Sequence, residues 1–300
     1  MKEIPMSRET EKVFAELHKA MEGKDFQSEN DINTFINQFI QNYNQNVDKK
    51  TEYDEYDYLD MAQNAFDVKE SIRYAQKALK LNPYCLDAEM IIAQAKAKSM
   101  DELKKNIEQV IQKGEKQLAE RNITIEEDAG SFYGLFETRP YMRARKKYLE
   151  LLIAQGRFRS AVAEAEEIIR LNENDNLGAR YTLLALYCYF EEEDKANALF
   201  EKYKEDSAFM LLPMIALYYK KENNKKFKSF IKKLKNKNPD LLNVIEILAS
   251  NEDDELEDIL EQGMYRPFSD EEVVLAFSEG MFLYMPMNGF VDKLYDEAMS

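Results

Sequence analysis

The sequence predicts an all-α chain, an α-solenoid of about five helical hairpins with capping helices at both ends. Three observations lead there. Aligning PYMRARKKYLELLIAQGRFRSAVAEAEEIIRLNEND with DNLGARYTLLALYCYFEEEDKANALFEKYKED places Ala161 on Ala196, Ala165 on Phe200 and Ile168 on Tyr203, each pair 35 residues apart. The same slots return at Ser71, Ala75 and Ala78 and at Phe227, Ile231 and Leu234, with Pro83 or Pro239 standing 12 positions after the first slot. Nine Gly and seven Pro in 300 residues leave little turn material for sheets, and charged residues at 33% favour helices.

Residues 8–22 read as a helix with Val13, Phe14 and Leu17 turned inward. SENDINTFINQFIQNY follows, with Ser28 and Asp31 as a capping pair and a stripe of Ile32, Phe35, Ile36, Phe39, Ile40 and Tyr43. Residues 1–52 are therefore assigned as N-terminal capping helices over the first repeat, since a terminal repeat needs a cap. QNVDKKTEYDEYD is a polar linker.

Repeats 1 and 2 occupy 53–120. The second carries Ala88, Ile91, Ile92 and Ala95 on one helix and Leu103, Ile107 and Val110 on the next, which runs on through Leu118. First slots Ser71 and Leu103 lie 32 apart, but Leu103 and Ala161 lie 58 apart. Segment 121–139, RNITIEEDAGSFYGLFETR, is therefore an insertion, either a packed elbow or a functional loop. Repeats 3–5 fill 140–239. Gly156 ends a first helix with a left-handed cap, and Phe158 fills the corner after it. Residues 240–300 form acidic capping helices: LLNVIEILAS, ELEDILEQGMY around the run Glu252–Glu255, SDEEVVLAFSEGMFLYM opened by a capping box of Ser269 and Glu272, and FVDKLYDEAM.

The spacing of about 34 residues as helix–turn–helix is that of tetratricopeptide repeats (TPR). A small residue in the first slot lets two helices approach, and residues 4 and 7 positions later share its face and close the core. FYGLFETRPYMRARKKYLELL and the following GRFRSAVAEAEEIIRLNENDNLGARYTLLAL resemble a bacterial type of TPR protein without an assigned function. That resemblance extends over nearly the whole chain, from GKDFQSENDINTFIN to FSDEEVVLAF. More distantly, 137–206 is similar to the repeat region of the suppression-of-tumorigenicity 7 family. The resemblance implies the TPR-like fold and a protein-interaction role, and supplies no catalytic residue.

A net charge of −16 argues against a general nucleic-acid binder and against docking on an anionic membrane. Charge is uneven. Residues 220–237 carry nine Lys and one Glu, whereas 250–300 carry fourteen Asp or Glu against Arg266 and Lys293. The two segments read as a basic face beside an acidic cap that partly neutralise each other, or as an acidic tail competing with an acidic ligand. Head-to-tail joining of them would make a homo-oligomer. Cys85 and Cys188 have no CxxC spacing and read as reduced core residues. No export signal and no run of about 18 apolar residues is present, so a cytoplasmic location is expected.

Arg139, Arg143, Arg145, Lys146 and Lys147 concentrate positive charge in an acidic protein. In a TPR-like hairpin the first helix lines the concave groove. Arg143 and Lys146 sit at its second and fifth positions, and Asn176, Arg180 and Tyr181 of the next repeat join that lining. The partner-binding set is thus Arg139, Arg143, Lys146, Asn176, Arg180 and Tyr181, since Arg grips carboxylates bidentately and Arg and Tyr are favoured interface anchors. The competing reading pairs these arginines with Glu126, Glu127, Asp128 and Glu137 of the insertion. The chaperone-tail carboxylate clamp needs Lys and Asn at positions five and nine, and here Lys146 is followed by Glu150.

His18 is the sole histidine, and no GxxxxGK[ST], GxGxxG, HExxH or EF-hand loop occurs, so no cofactor or metal is expected. The Tyr187, Tyr189, Tyr218 and Tyr219 cluster reads as core. No nucleophile, base and orienter converge on one motif. The expected function is a non-enzymatic scaffold or adaptor that holds a peptide or helical segment of another protein in its groove. The alternative is a regulatory or sensor subunit of a larger complex whose catalyst lies in another chain.

Overall fold

The computed structural model describes residues 8–46, 52–250, 256, 259–260 and 266–300. Among the described residues there are sixteen α-helices and no strand. In order they are α1 (Arg8–Met21), α2 (Glu29–Asn46), α3 (Glu55–Gln63), α4 (Val68–Leu81), α5 (Leu86–Lys96), α6 (Met100–Glu120), α7 (Arg139–Ala154), α8 (Phe158–Leu171), α9 (Ala179–Tyr189), α10 (Glu193–Tyr203), α11 (Ala208–Lys220), α12 (Asn224–Lys237), α13 (Leu241–Ser250), α14 (Asp270–Glu279), α15 (Met281–Tyr284) and α16 (Phe290–Met299). The acidic run Glu252–Glu255 and most of the expected helix ELEDILEQGMY lie outside the described residues. The chain divides into two compact units, Glu3–Tyr148 and Leu149–Ser300, and the boundary falls inside α7.

Within the first unit α3 packs on α4, α4 on α5 and α5 on α6, while α3 also touches α5. The slots explain why. Ala75 and Ala78 are completely buried, and Ser71 turns its hydroxyl onto the carbonyl of Ala62 at 2.8 Å, so the small side chains bring α3 and α4 together. In α6, Ile107 and Val110 take the larger slots. Gly114 lies farther along the same helix, and a Cβ there would stand 2.8 Å from Leu86 Cδ1 and 2.9 Å from Tyr141 Cδ2. Glycine is needed because α5 and α7 both close on that point.

Within the second unit α8 packs on α9, α9 on both α10 and α11, and α11 on α12. Ala161, Ala165, Ile168 and Ala196 are completely buried, and Phe227, Ile231 and Leu234 nearly so. Burial of each larger side chain contributes about 1.5–3 kcal/mol.

Two backbone devices repeat at fixed offsets from the slots. Five positions before Ala161, Ala196 and Phe227 stand Gly156, Glu191 and Glu222, all left-handed, at φ 66°, 58° and 53°. Each closes its helix identically. The next residue's N–H reaches back five positions, from Arg157 to Leu152, Glu192 to Tyr187 and Asn223 to Tyr218. Eleven positions after the first slot stand Asn82, Asn172 and Asn238. Each leaves the helix in an extended or near-extended conformation and donates its backbone N–H to the third slot, Ala78, Ile168 or Leu234. Pro83 and Pro239 follow two of them and favour that extended geometry.

The terminal helices differ from simple end caps. Asp31 donates its backbone N–H to Ser28 Oγ as the capping pair requires, at 3.2 Å. Yet no residue of the α2 stripe enters the core, and Ile40 is 43% exposed. Phe35 instead meets Phe26 and Lys24, from the turn that precedes α2. Helix α1 lies on α3, and α14 and α15 lie on α11, with α15 also on α9. The expected capping box is open. Ser269 accepts from the backbone of Glu272, but the Glu272 carboxylate bonds Phe268 N–H and, at 3.1 Å, Ala208 N–H at the start of α11. Burial raises the Glu272 pKa, while those donors oppose the rise. Among the described residues no helix is long and apolar enough to cross a membrane.

Candidate functional site

Arg139, Arg143 and Lys146 belong to the Glu3–Tyr148 unit, on the first turns of α7. Arg143 is already engaged. Its Nη1 and Nη2 grip both oxygens of Glu11 at 2.5 and 2.9 Å, and its Nε and Nη2 grip both oxygens of Asp87 at 3.0 and 2.6 Å. One guanidinium thus ties α1, α5 and α7 together. The sequence offered the acids of the insertion as intramolecular partners; the carboxylates at Arg143 come from α1 and α5.

Both acids are nearly buried, with side-chain exposures of 7% for Glu11 and 11% for Asp87. Burial pushes the Asp87 pKa up, but the charge and hydrogen bonds of Arg143, with the charge of Arg8, outweigh it and hold the carboxyl below the usual range. Arg8 itself stands 3.6 Å from Asp87 and 3.6 Å from Asp60. Lys12 reaches Asp57 at 2.9 Å and Asp54 at 3.2 Å, the two acids that also cap α3.

Arg139 is used differently. Its Nε donates to the Tyr133 carbonyl at 3.0 Å, and its guanidinium covers the Phe136 ring at 4.2 Å, whose ring stacks on Phe14 of α1 at 4.1 Å. Phe132 and Thr138 are completely buried, and Thr124 and Asp128 bond each other's backbone, so segment 121–139 packs as a folded turn. Lys146 is half-buried and forms no ion pair among the described residues.

Beneath α1 lies a cleft of about 290 Å³, walled by Glu11, Phe14 and His18 on one side and by Tyr56, Cys85 and Gln117 on the other. Burial raises the Tyr56 pKa well above its ordinary value, and Glu55, Glu11 and Asp87 push it the same way. Burial, then Asp87, pushes the Cys85 thiol up to about 12, so it is protonated at neutral pH.

Asn176, Arg180 and Tyr181 belong to the Leu149–Ser300 unit. Asn176 is exposed. Asp175, left-handed at φ 47° and buried, accepts the backbone N–H groups of Ala179 and Arg180 and so caps α9. Arg180 pairs with Asp175 at 3.0 Å and Glu205 at 2.9 Å and lies over the Tyr181 ring at 4.1 Å, while the Tyr181 hydroxyl donates to Glu205 at 2.8 Å. Arg143 and Arg180 therefore do the same job in separate units: each holds two carboxylates of its own fold.

The basic run 220–237 is answered mostly from its own neighbours. Lys226 pairs with Glu193, Lys233 with Asp206, and Lys228 with Glu297 of α16. Of the expected neutralisation by residues 250–300, the Lys228–Glu297 pair is one instance, whereas Glu193 and Asp206 precede that segment. Cys188 and Tyr187 are buried, as is Tyr218, in keeping with the core reading of those residues. Among the described residues no three His, Cys, Asp or Glu side chains gather as metal ligands would.

Sequence reasoning missed Glu11, Asp87, Asp175 and Glu205. For Glu11 and Asp87 the only signal was complementarity of charge between helices far apart in sequence, which has no period. Asp175 stands five residues before Arg180 and Glu205 twenty-five after it, both outside the helices. No family model matches this chain, and a search of curated proteins finds no match either.

Proposed function

We propose that this chain is a non-enzymatic protein–protein interaction scaffold, its helix pairs being TPR-like hairpins of the kind that stack into an α-solenoid. Within a unit, it holds a peptide or helical segment of a partner protein on the face formed by the first helices of that unit's pairs. The recurrent slots, the shared left-handed turns and the Asn exits support the repeat reading. One observation carries the binding reading. In each unit the first-helix face holds an additional helix of the chain: α1 lies on α3 with Glu11 in the grip of Arg143, and α14 and α15 lie on α9 and α11. A face that seats helices of its own sequence has the shape and charge to seat one from elsewhere. Within this reading Lys146 and Asn176 are the residues of the predicted set left to meet a partner, while Arg143, Arg180 and Tyr181, committed to carboxylates, and Arg139, committed to the Tyr133 carbonyl and the Phe136 ring, shape the surface. The site of action is cytoplasmic.

The test is site-specific photo-crosslinking in the native lysate. A cross-linker at position 146 or 176 captures a protein that one at Lys105, on the second helix α6, does not. Capture from Lys105 alone would put the interface on the opposite face and defeat the proposal.

A further inference from the structure

Helix α1 is seated chiefly by charge. Arg8, Glu11 and Lys12 reach Asp60, Asp87, Arg143, Asp54 and Asp57, while of its apolar side chains Leu17 enters the core and Val13 and Phe14 stay half-buried. The seating is also incomplete. Arg8 Nη1 is buried without a hydrogen-bond partner among the described residues, 3.6 Å from Asp60, and the cleft of about 290 Å³ stays open under the helix. An element held by ion pairs over an unfilled cleft is one that a better-fitting helix displaces, because the competitor regains every ion pair and adds the contacts that α1 leaves unmade.

Resting on the scaffold reading, we infer that α1 is a releasable occupant of the partner site. The partner segment that replaces it is an amphipathic helix repeating its chemistry: an acid for Arg143, a base beside it for Asp54 and Asp57, and apolar residues two and five positions after that base, where α1 carries Phe14 and Leu17. Bound partner and docked α1 exclude each other, so the intact chain is partly closed to its own ligand.

The experiment uses the full chain. In Glu11→Lys, Arg143 and Asp87 remain but α1 presents a cation to the guanidinium and is released. The probe is a fluorescent peptide spanning Arg8–Met21, and the control is that peptide with Glu11→Gln and Lys12→Gln; polarisation reads binding. The variant is expected to bind the probe about tenfold more tightly than the wild-type chain does, and the control about tenfold less tightly than the probe, as for a lost partly buried charge pair. Raising salt to about 1 M should weaken the probe and spare the control.

Equal affinity of wild type and variant for the probe overturns the release. Equal affinity of the variant for probe and control overturns the charge pattern while leaving a helix-binding face in place. If the variant binds neither, this inference falls, and cross-linking from position 146 still decides the scaffold reading separately. A dimer that exchanges α1 between copies, seen as concentration-dependent mass, would make the occupant a second copy and overturn the partner assignment. Lys12→Glu, which loosens α1 and leaves Arg143 its carboxylate, is the second variant; loss of fold in both, by circular dichroism, makes α1 an integral element and ends the proposal.

Discussion

Arg143 holds both carboxylate oxygens of Glu11, a residue 132 positions earlier in the chain, while holding both oxygens of Asp87 with the rest of the same guanidinium. Removing the cation strands two nearly buried anions. Arg143→Gln is expected to destabilise the Glu3–Tyr148 unit by about 3 kcal/mol, as for a broken buried pair. Adding Glu11→Gln and Asp87→Asn should restore much of that loss, since the cost lies in unpaired charge. Urea melts of the set check it, and additive losses would contradict the network.

Asp87 also sets an acid limit. Its pKa is lowered in the fold, so its contribution is present above the unfolded carboxylate value of about 3.9 and is lost as pH falls through the lower folded value. The urea midpoint should show little change from this group between neutrality and about pH 5, then fall below about pH 4. Asp87→Asn should lower stability at neutral pH and flatten that acid limb. An unchanged limb would assign the acid sensitivity elsewhere.

Glycines in this fold act by two separate mechanisms. Gly114→Ala should destabilise by about 1–3 kcal/mol despite the better helix propensity of alanine, because the new methyl meets Leu86 and Tyr141 at 2.8 and 2.9 Å. Gly156 has open space around it but a φ of 66°, so Gly156→Ala costs backbone strain alone, about 1 kcal/mol. Glu191→Gly and Glu222→Gly, at the equivalent left-handed positions, should then be neutral or stabilising. Thermal melts of the four variants separate the two causes.

The two thiols report on their own surroundings. Cys85 lines the cleft beneath α1, and Cys188 is completely buried. Neither should react with a thiol reagent near pH 8 on the timescale of an unfolded control. Glu11→Lys should accelerate labelling of Cys85 by at least about tenfold and leave Cys188 unchanged, by peptide mapping, since reactivity follows exposure and thiolate content. Parallel acceleration at both cysteines would mean global loosening.

Much of the helical architecture was legible because its determinants are local. A slot residue and its partners 4 and 7 positions on share one helical face, and so the spacing of Ala161, Ala165 and Ile168 is enough to mark a buried stripe. An Asn stands 11 positions after three of the first slots, Ser71, Ala161 and Phe227, but Ser207 takes that place after Ala196, and the proline at position 12 is the more conspicuous mark. What could not be read is where the cations go. Arg143 carries no mark that separates a partner-facing arginine from one claimed by Glu11 and Asp87, because that depends on which distant carboxylate the fold delivers. Asp175 is only five residues from Arg180, but its left-handed turn, which aims it at the start of α9, is not written in the spacing. The α2 stripe misled for a related reason: amphipathic spacing says that a face is apolar, and says nothing of whether a neighbour arrives to cover it.

Every residue of α11 from Ala208 to Tyr218 is buried, and part of that cover comes from α14, whose residues begin at Asp270. During synthesis this leaves an interval. Lys220 is joined to the chain fifty residues before Asp270, which at about 5–20 residues per second is roughly 2.5–10 s. For that time the nascent chain carries an apolar helix, AFMLLPMIALYY, with its outer side bare. Ribosome stalling or truncation between 221 and 269 should therefore yield a product that depends on holding chaperones, while the same stall before Ser207 should not.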